Sequence, residues 1–297
     1  MLRTLFSKDD DEEVMRPLDW IFPSEAVERE VLHVAPDEPD EARPPLLFVH
    51  GASMGAWCWK THWMPAAAEC GWDCYALSLR GHGNSGGQDR RHRWLLRDYV
   101  HDVMQTIVEL PRPPVLIGHS MGAAVVERVV ARYPAPMAVL MAPPGDRNGL
   151  ITAGQILRRR PADFFGGLLG RSIPARHEYL FSPDVDRRST RSARTRTRPL
   201  SALNQYEVLL PNRTRHSLCP LVIVGMEEDT LVPFGAVERF AQRRSAKAIF
   251  IPRAGHTPQL EPEHWEDALH IVLNAVETTL RKLPGHQSSN ARPGKPE

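Results

Sequence analysis

Val115-Leu116-Ile117-Gly118-His119-Ser120-Met121-Gly122-Ala123-Ala124-Val125-Val126 is the stretch that decides the fold. It opens on three consecutive apolar residues, which is how a strand buried on both faces reads. It leaves through a helical pattern that runs from Met121 to Tyr133. Between the two stands Gly-x-Ser-x-Gly, the pattern of a sharp strand-to-helix turn. Such a turn holds its serine in strained backbone, and side chains two residues to either side would collide, so both places need glycine. It also lifts the Ser120 hydroxyl out of the sheet edge at a helix N-terminus. There, free N–H groups and a partial positive charge face a developing oxyanion.

The same rhythm extends outward. Glu28 to Val34 alternates and predicts an edge strand. Leu46 to Val49, Cys74 to Leu77, Met137 to Met141, Leu221 to Val224 and Ala248 to Ile251 are short apolar runs. Helical patterns separate them at Trp59 to Cys70, Tyr99 to Leu110, Pro233 to Arg244 and Pro262 to Lys282. Strands alternating with helices predict an α/β fold with a mostly parallel central sheet. Only residues 146–216 break the alternation. They are helical in pattern, and Arg147 to Arg215 holds fourteen arginines, no lysine and five acids. A helical insertion late in a parallel sheet predicts a cap over the carboxyl edge, where open α/β sheets bind ligands. The core is therefore expected at 17–145 and 217–283. The acidic run at 1–16 and the Pro/Gly/Ser-rich 284–297 read as a flexible N-terminus and a disordered tail.

Composition narrows the function classes. The 297 residues carry 37 Lys+Arg against 36 Asp+Glu, a net charge of +1. No global field draws nucleic acid or anionic membrane, and no apolar run is long enough to span a bilayer. The stretch Arg187 to Arg198 contains no aromatic residue, so it lacks the interleaved aromatics of a nucleic-acid surface. Cys58, Cys70, Cys74 and Cys219 fall at no metal or disulfide-scaffold spacing, so free thiols in a reducing, cytoplasmic compartment are expected. Asp9 to Glu13 closely follow a mildly apolar start, and no secretory leader is read.

A serine hydroxyl needs a base held by an acid, and later strand ends supply both. The loop after Leu221 to Val224 carries Glu227, Glu228 and Asp229. Asp229 is the favoured acid, since it stands just before Leu231-Val232-Pro233, where the next helix starts; Glu228 is the alternative. Of thirteen histidines, only His256, in the loop after Ala248 to Ile251, has the right order and place for the base. His119 adjoins Ser120 but points away on a sharp elbow, and reads as packing beneath the turn. His50-Gly51-Ala52 after an early strand is the place for a second oxyanion donor. The N–H groups of Ala52 and Met121 are the candidate pair, with His50 bracing the loop.

Taken together, these pieces resemble the α/β-hydrolase superfamily. The matching residues are His50-Gly51 with Trp57, Leu79-Arg80-Gly81-His82-Gly83-Asn84-Ser85, the elbow at Ser120, Asp229 before Leu-Val-Pro, and Gly255-His256. His50 to Trp59 is similar to small esterases and hydroxynitrile lyases. The Arg-Gly-His-Gly loop is similar to lysophospholipases, monoacylglycerol lipases and ring-cleavage hydrolases. The resemblance implies a sheet of about eight strands with a helical cap. It also implies Ser120 as nucleophile, His256 as base, Asp229 as its orienter, and Ala52 and Met121 as oxyanion donors. Cleavage of a carboxylic ester through an acyl-enzyme is the expected chemistry, on a small and at least partly apolar substrate. No cofactor or metal is expected, nor a nucleic-acid partner, nor integral membrane association. The same triad also serves carbon–carbon bond hydrolysis, perhydrolysis and acyl transfer to other acceptors, and the fold also serves non-catalytic receptors. The arginines invite an anionic ligand, though solvated helix faces account for them more simply. Phe164, Phe165, Leu168, Leu169 and Leu150 are candidates for an apolar pocket.

Overall fold

The computed structural model describes residues 24–144, 148–210 and 216–283. The acidic N-terminus at 1–16 and the tail at 284–297 lie outside the described residues. Seven strands form one sheet: β1 (Glu30–Val34), β2 (Leu46–Val49), β3 (Cys74–Ser78), β4 (Val115–His119), β5 (Ala138–Met141), β6 (Leu221–Met226) and β7 (Lys247–Ile251). Their order is β1-β3-β2-β4-β5-β6-β7, with β1 antiparallel and the rest parallel. All seven runs picked out by pattern are strands. The expected count of about eight came from the resemblance, and among the described residues the sheet has seven.

The central strands β2, β4 and β5 are buried along their whole length, because helices cover both faces. These helices are α1 (Trp57–Lys60), α2 (Trp63–Glu69), α3 (Leu96–Glu109), α4 (Met121–Val130), and later α10 (Phe234–Arg243) and α11 (Trp265–Leu280). Between β5 and β6, the described residues form helices only: α5 (Asn148–Arg159), α6 (Pro161–Leu168), α7 (His177–Leu180), α8 (Arg191–Arg196) and α9 (Ala202–Leu209). No helix among the described residues is long and apolar enough to cross a membrane.

Parallel pairing fixes where the loops come out. Val49 pairs with Gly118, Gly118 with Leu140, Leu140 with Ile223, and Ile223 with Ala248. The strand ends therefore align, and the loops after β2, β4, β6 and β7 emerge on one edge. Trp57, Trp59 and Trp63 are core residues. Trp59 and Trp63 are fully buried, and Trp59 stacks on Phe48 with ring centroids 5.0 Å apart.

The Arg-Gly-His-Gly loop has a structural role. Arg80 and Asp102 are both fully buried. The guanidinium donates to Asp102 from Nε at 3.0 Å and from Nη2 at 2.7 Å, and from Nη1 to the Glu25 carbonyl at 3.0 Å. Removing one partner of a buried pair strands the other charge, at about 3–5 kcal/mol. Asp102→Ala is expected to lower stability by that amount, read as a lower denaturant midpoint at unchanged slope. A loss under 1 kcal/mol would mean that solvent reaches Arg80.

Candidate active site

The elbow between β4 and α4 owes its shape to two close approaches. A Cβ on Gly118 would lie 2.5 Å from the Gly122 carbonyl oxygen, and one on Gly122 would lie 2.3 Å from that of Val49. Ser120 between them takes φ 53° and ψ −117°, a conformation that non-glycine residues adopt only under surrounding constraint. Its N–H supplies part of that constraint by donating to the Met141 carbonyl at 2.8 Å.

The structure brings Ser120, His256 and Asp229 into one hydrogen-bonded chain. His256 Nδ1 lies 2.8 Å from Asp229 Oδ2, and His256 Nε2 lies 3.0 Å from Ser120 Oγ. A carboxylate only accepts, so the ring proton sits on Nδ1 and Nε2 is left to accept from the serine hydroxyl. The other oxygen of Asp229, Oδ1, accepts the N–H groups of Leu231 and Val232 at 2.8 and 2.9 Å. The carboxylate is thus fixed by the helix-start turn that singled it out in the sequence. Glu228, the alternative acid, is exposed, and its N–H donates to the Ala254 carbonyl.

His119 is fully buried beneath the elbow, where its Nε2–H donates to the His256 carbonyl at 2.7 Å. Burial, with His256 beside it, pushes its pKa down to about 3, so it is neutral and serves as a strut. His50 is a second neutral strut, held well below the ordinary histidine range by burial and by His82. Its Nε2 accepts the Leu79 N–H at 3.0 Å and its Nδ1–H donates to the Gly51 carbonyl at 2.8 Å. His50 thereby joins the loop after β3 to the loop after β2. Gly51 presses on the elbow: a Cβ there would lie 2.8 Å from His119 Nδ1 and 3.2 Å from Ser120 Cβ. Ala52 follows immediately and, like Ser120, lines the cavity above. Met121 opens α4, and the first N–H groups of a helix have no partner within it.

The cavity above Ser120 and His256 has a volume of about 130 Å³. Met54, Ile156, Ile173, Leu200, Val208 and Val232 are among its apolar walls. Three of its polar wall residues have internal partners. Thr152 Oγ1 donates to the Leu231 carbonyl at 2.8 Å, and Tyr179 OH donates to Asp163 at 2.9 Å. Gln205 accepts the Ile173 N–H at 2.9 Å and donates to the Arg171 carbonyl at 3.4 Å. No arginine lines the cavity among the described residues. Phe165, Leu168, Leu169 and Leu150 are 56–80 % exposed and do not line it. The Met121 side chain is buried in the core rather than turned to the cavity.

The insertion is tied to the loop bearing Ala52. The Arg198 N–H donates to the Ser53 carbonyl at 2.9 Å, and the Arg196 guanidinium lies 4.5 Å over the Trp57 ring. Glu261 and Thr257, which brace the loop of His256, escaped the sequence reading. The only hint was that Glu261 is the single acid in Ala254 to Pro262.

Comparison with known proteins places the chain. It is 27% identical over 216 residues to the monoacylglycerol lipase of Mycolicibacterium smegmatis, covering 64% of this chain and 72% of that one. Among solved structures it resembles the Paleococcus ferrophilus monoacylglycerol lipase, with TM-score 0.65 and 16% identity over 86% of this chain and all of that one. It also resembles a thermophilic esterase from Thermogutta terrifontis, with TM-score 0.63 and 19% identity over 85% and 94% of the two chains. At those identities the structural likeness speaks to the fold alone. A match to the sequence profile of the alpha/beta hydrolase family runs across residues 46–268, from β2 into α11, and on that span this chain belongs to the alpha/beta hydrolase family.

Proposed function

We propose that this protein is a serine hydrolase that cleaves carboxylic esters through an acyl-enzyme. The observation that carries the reading is the unbroken chain from Ser120 through His256 to Asp229, which opens into an apolar cavity. In the proposed reaction, His256 Nε2 takes the Ser120 proton as Oγ attacks the ester carbonyl. Asp229 holds the imidazole in the receptive tautomer and stabilises the imidazolium. The N–H groups of Ala52 and Met121 hold the oxyanion, an interaction for which one lost donor typically costs about 10²–10³ in kcat. The imidazolium returns its proton to the leaving alcohol. His256 then activates a water to release the acid. The sequence relative at 27% identity, a monoacylglycerol lipase, supports the same reaction class.

The cavity favours an uncharged, apolar acyl group, because among the described residues no arginine or lysine lines it and most of its walls are apolar. A buried CH₂ is worth about 0.8 kcal/mol, about fourfold in kcat/KM. On p-nitrophenyl esters of graded length, kcat/KM is expected to rise about that much per carbon until the cavity is full, and Ile156→Trp should shift the optimum to shorter chains. A flat profile, or preference for a succinyl over a butyryl ester, would contradict the assignment of the cavity as the acyl site. We read residues 146–216 as the cap and 17–145 with 217–283 as the catalytic core. We assign the protein to the cytoplasm, where four free thiols persist.

A further inference from the structure

One buried carboxylate spans from the loop of the proposed base to the helical insertion. Glu261 is 0% exposed. Its two oxygens accept the Gly255 N–H at 3.0 and 3.1 Å, and Oε1 also accepts the Ser182 N–H at 2.8 Å. Gly255 immediately precedes His256, and Ser182 follows the end of α7. On the other side of His256, the N–H and the hydroxyl of Thr257 donate to the Leu180 carbonyl at 2.9 and 2.8 Å. The base is therefore fastened, before and after, to the three residues Leu180-Phe181-Ser182. There is no slack between the two segments. A Cβ on Gly255 would lie 2.3 Å from the Ser182 nitrogen and 2.5 Å from the Phe181 carbonyl carbon. One turn further on, His264 Nε2 meets Asp184 Oδ2 at 3.0 Å, a second tie from the same stretch to the insertion. Leu180 also lines the cavity.

We propose that Glu261 is a positioning residue for His256, and that through it Leu180-Phe181-Ser182 forms part of the mounting of the base instead of belonging to a lid that swings free. The proposal rests on the reading of His256 as the base. Glu261 contributes an acceptor oxygen. Burial, against the pull of the Gly255 and Ser182 N–H groups, pushes its carboxyl up to about 7, so it carries its charge only part of the time at neutral pH. Glutamine keeps the Oε1 position that both N–H groups reach, whereas leucine keeps the bulk and removes the acceptor. Without it the two N–H groups seek other partners and the Gly255-His256 backbone shifts. A displacement of about 1 Å in a reacting group costs about 10²-fold.

The test compares wild type, Glu261→Gln, Glu261→Leu and Thr257→Val with a fluorophosphonate and with p-nitrophenyl butyrate. Both the rate and the final stoichiometry of Ser120 labelling are followed. The expected result for Glu261→Leu is full stoichiometry at a rate about 10²-fold slower, with kcat reduced alike and KM within a few-fold. Glu261→Gln is expected within about threefold of wild type. Thr257→Val, which loses only the hydroxyl bond to Leu180, is expected to slow by several-fold and covers the case in which Glu261→Leu does not fold. A wild-type rate in folded Glu261→Leu would overturn the proposal, as would a wild-type rate in Thr257→Val where Glu261→Leu does not fold. So would reduced stoichiometry at an unchanged rate in the labelled fraction, because that marks a fold defect alone. Failure of wild type to label would instead overturn the assignment of Ser120 and His256.

Discussion

Ser120→Ala is expected to lower kcat on a p-nitrophenyl ester by about 10⁶-fold, with a thermal midpoint within a few degrees of wild type. The size follows from the geometry. The Ser120 oxygen is the atom that His256 Nε2 meets at 3.0 Å, and alanine puts nothing nucleophilic in its place. The loss is not limitless. The proposed oxyanion donors and substrate binding would survive the substitution and together still give about 10³–10⁴ over water. The fold survives because the elbow is held by backbone, through the Ser120 N–H to the Met141 carbonyl, and by glycines that the substitution leaves untouched. Steady-state kinetics beside a melting curve checks both halves. Activity within tenfold of wild type would remove Ser120 from the reaction.

Asp229→Asn is expected to cost about 10⁴ in kcat at neutral pH. The size is nearly independent of charge lost at a distance and comes from the tautomer. Asp229 Oδ2 now accepts from His256 Nδ1 at 2.8 Å. An asparagine held by the Leu231 and Val232 N–H groups through its carbonyl oxygen turns an NH₂ toward the ring. His256 Nδ1 then becomes the acceptor, and Nε2 carries a proton where Ser120 needs a lone pair. Fluorophosphonate labelling should slow in parallel with turnover. A loss below tenfold would point to an acid other than Asp229, and Glu228→Gln in the same assay would show whether it is the neighbour.

Much of this was written locally in the sequence. Six of the seven strands announce themselves as apolar runs because a sheet covered on both faces leaves no polar side to record, and the edge strand β1 shows itself by alternation. The elbow is legible because two glycines must stand where its backbone crosses itself. Asp229 is legible because the turn that starts α10 follows it at once. What was hidden depends on pairing across distance. Glu261 reaches Ser182 over 79 residues, and nothing near either one signals the other. Arg80 and Asp102 lie on different elements, so the Arg-Gly-His-Gly loop read as a mark of substrate class when its arginine is a buried brace. The insertion misled for a similar reason. Composition records that it holds arginines and leucines but cannot say which face turns inward; Leu150, Leu168 and Leu169 are exposed, and the cavity wall is drawn from Ile156, Ile173, Leu180 and Val208.

The proposed reaction stands on Ser120 as an activated nucleophile. The decisive measurement treats the wild-type chain with a fluorophosphonate and locates the adduct by peptide mass spectrometry beside Ser120→Ala. One phosphonyl group per chain on the peptide containing Ser120, absent from the variant, is the predicted result. A folded wild type that stays unlabelled, or that carries the adduct on another residue, would contradict it.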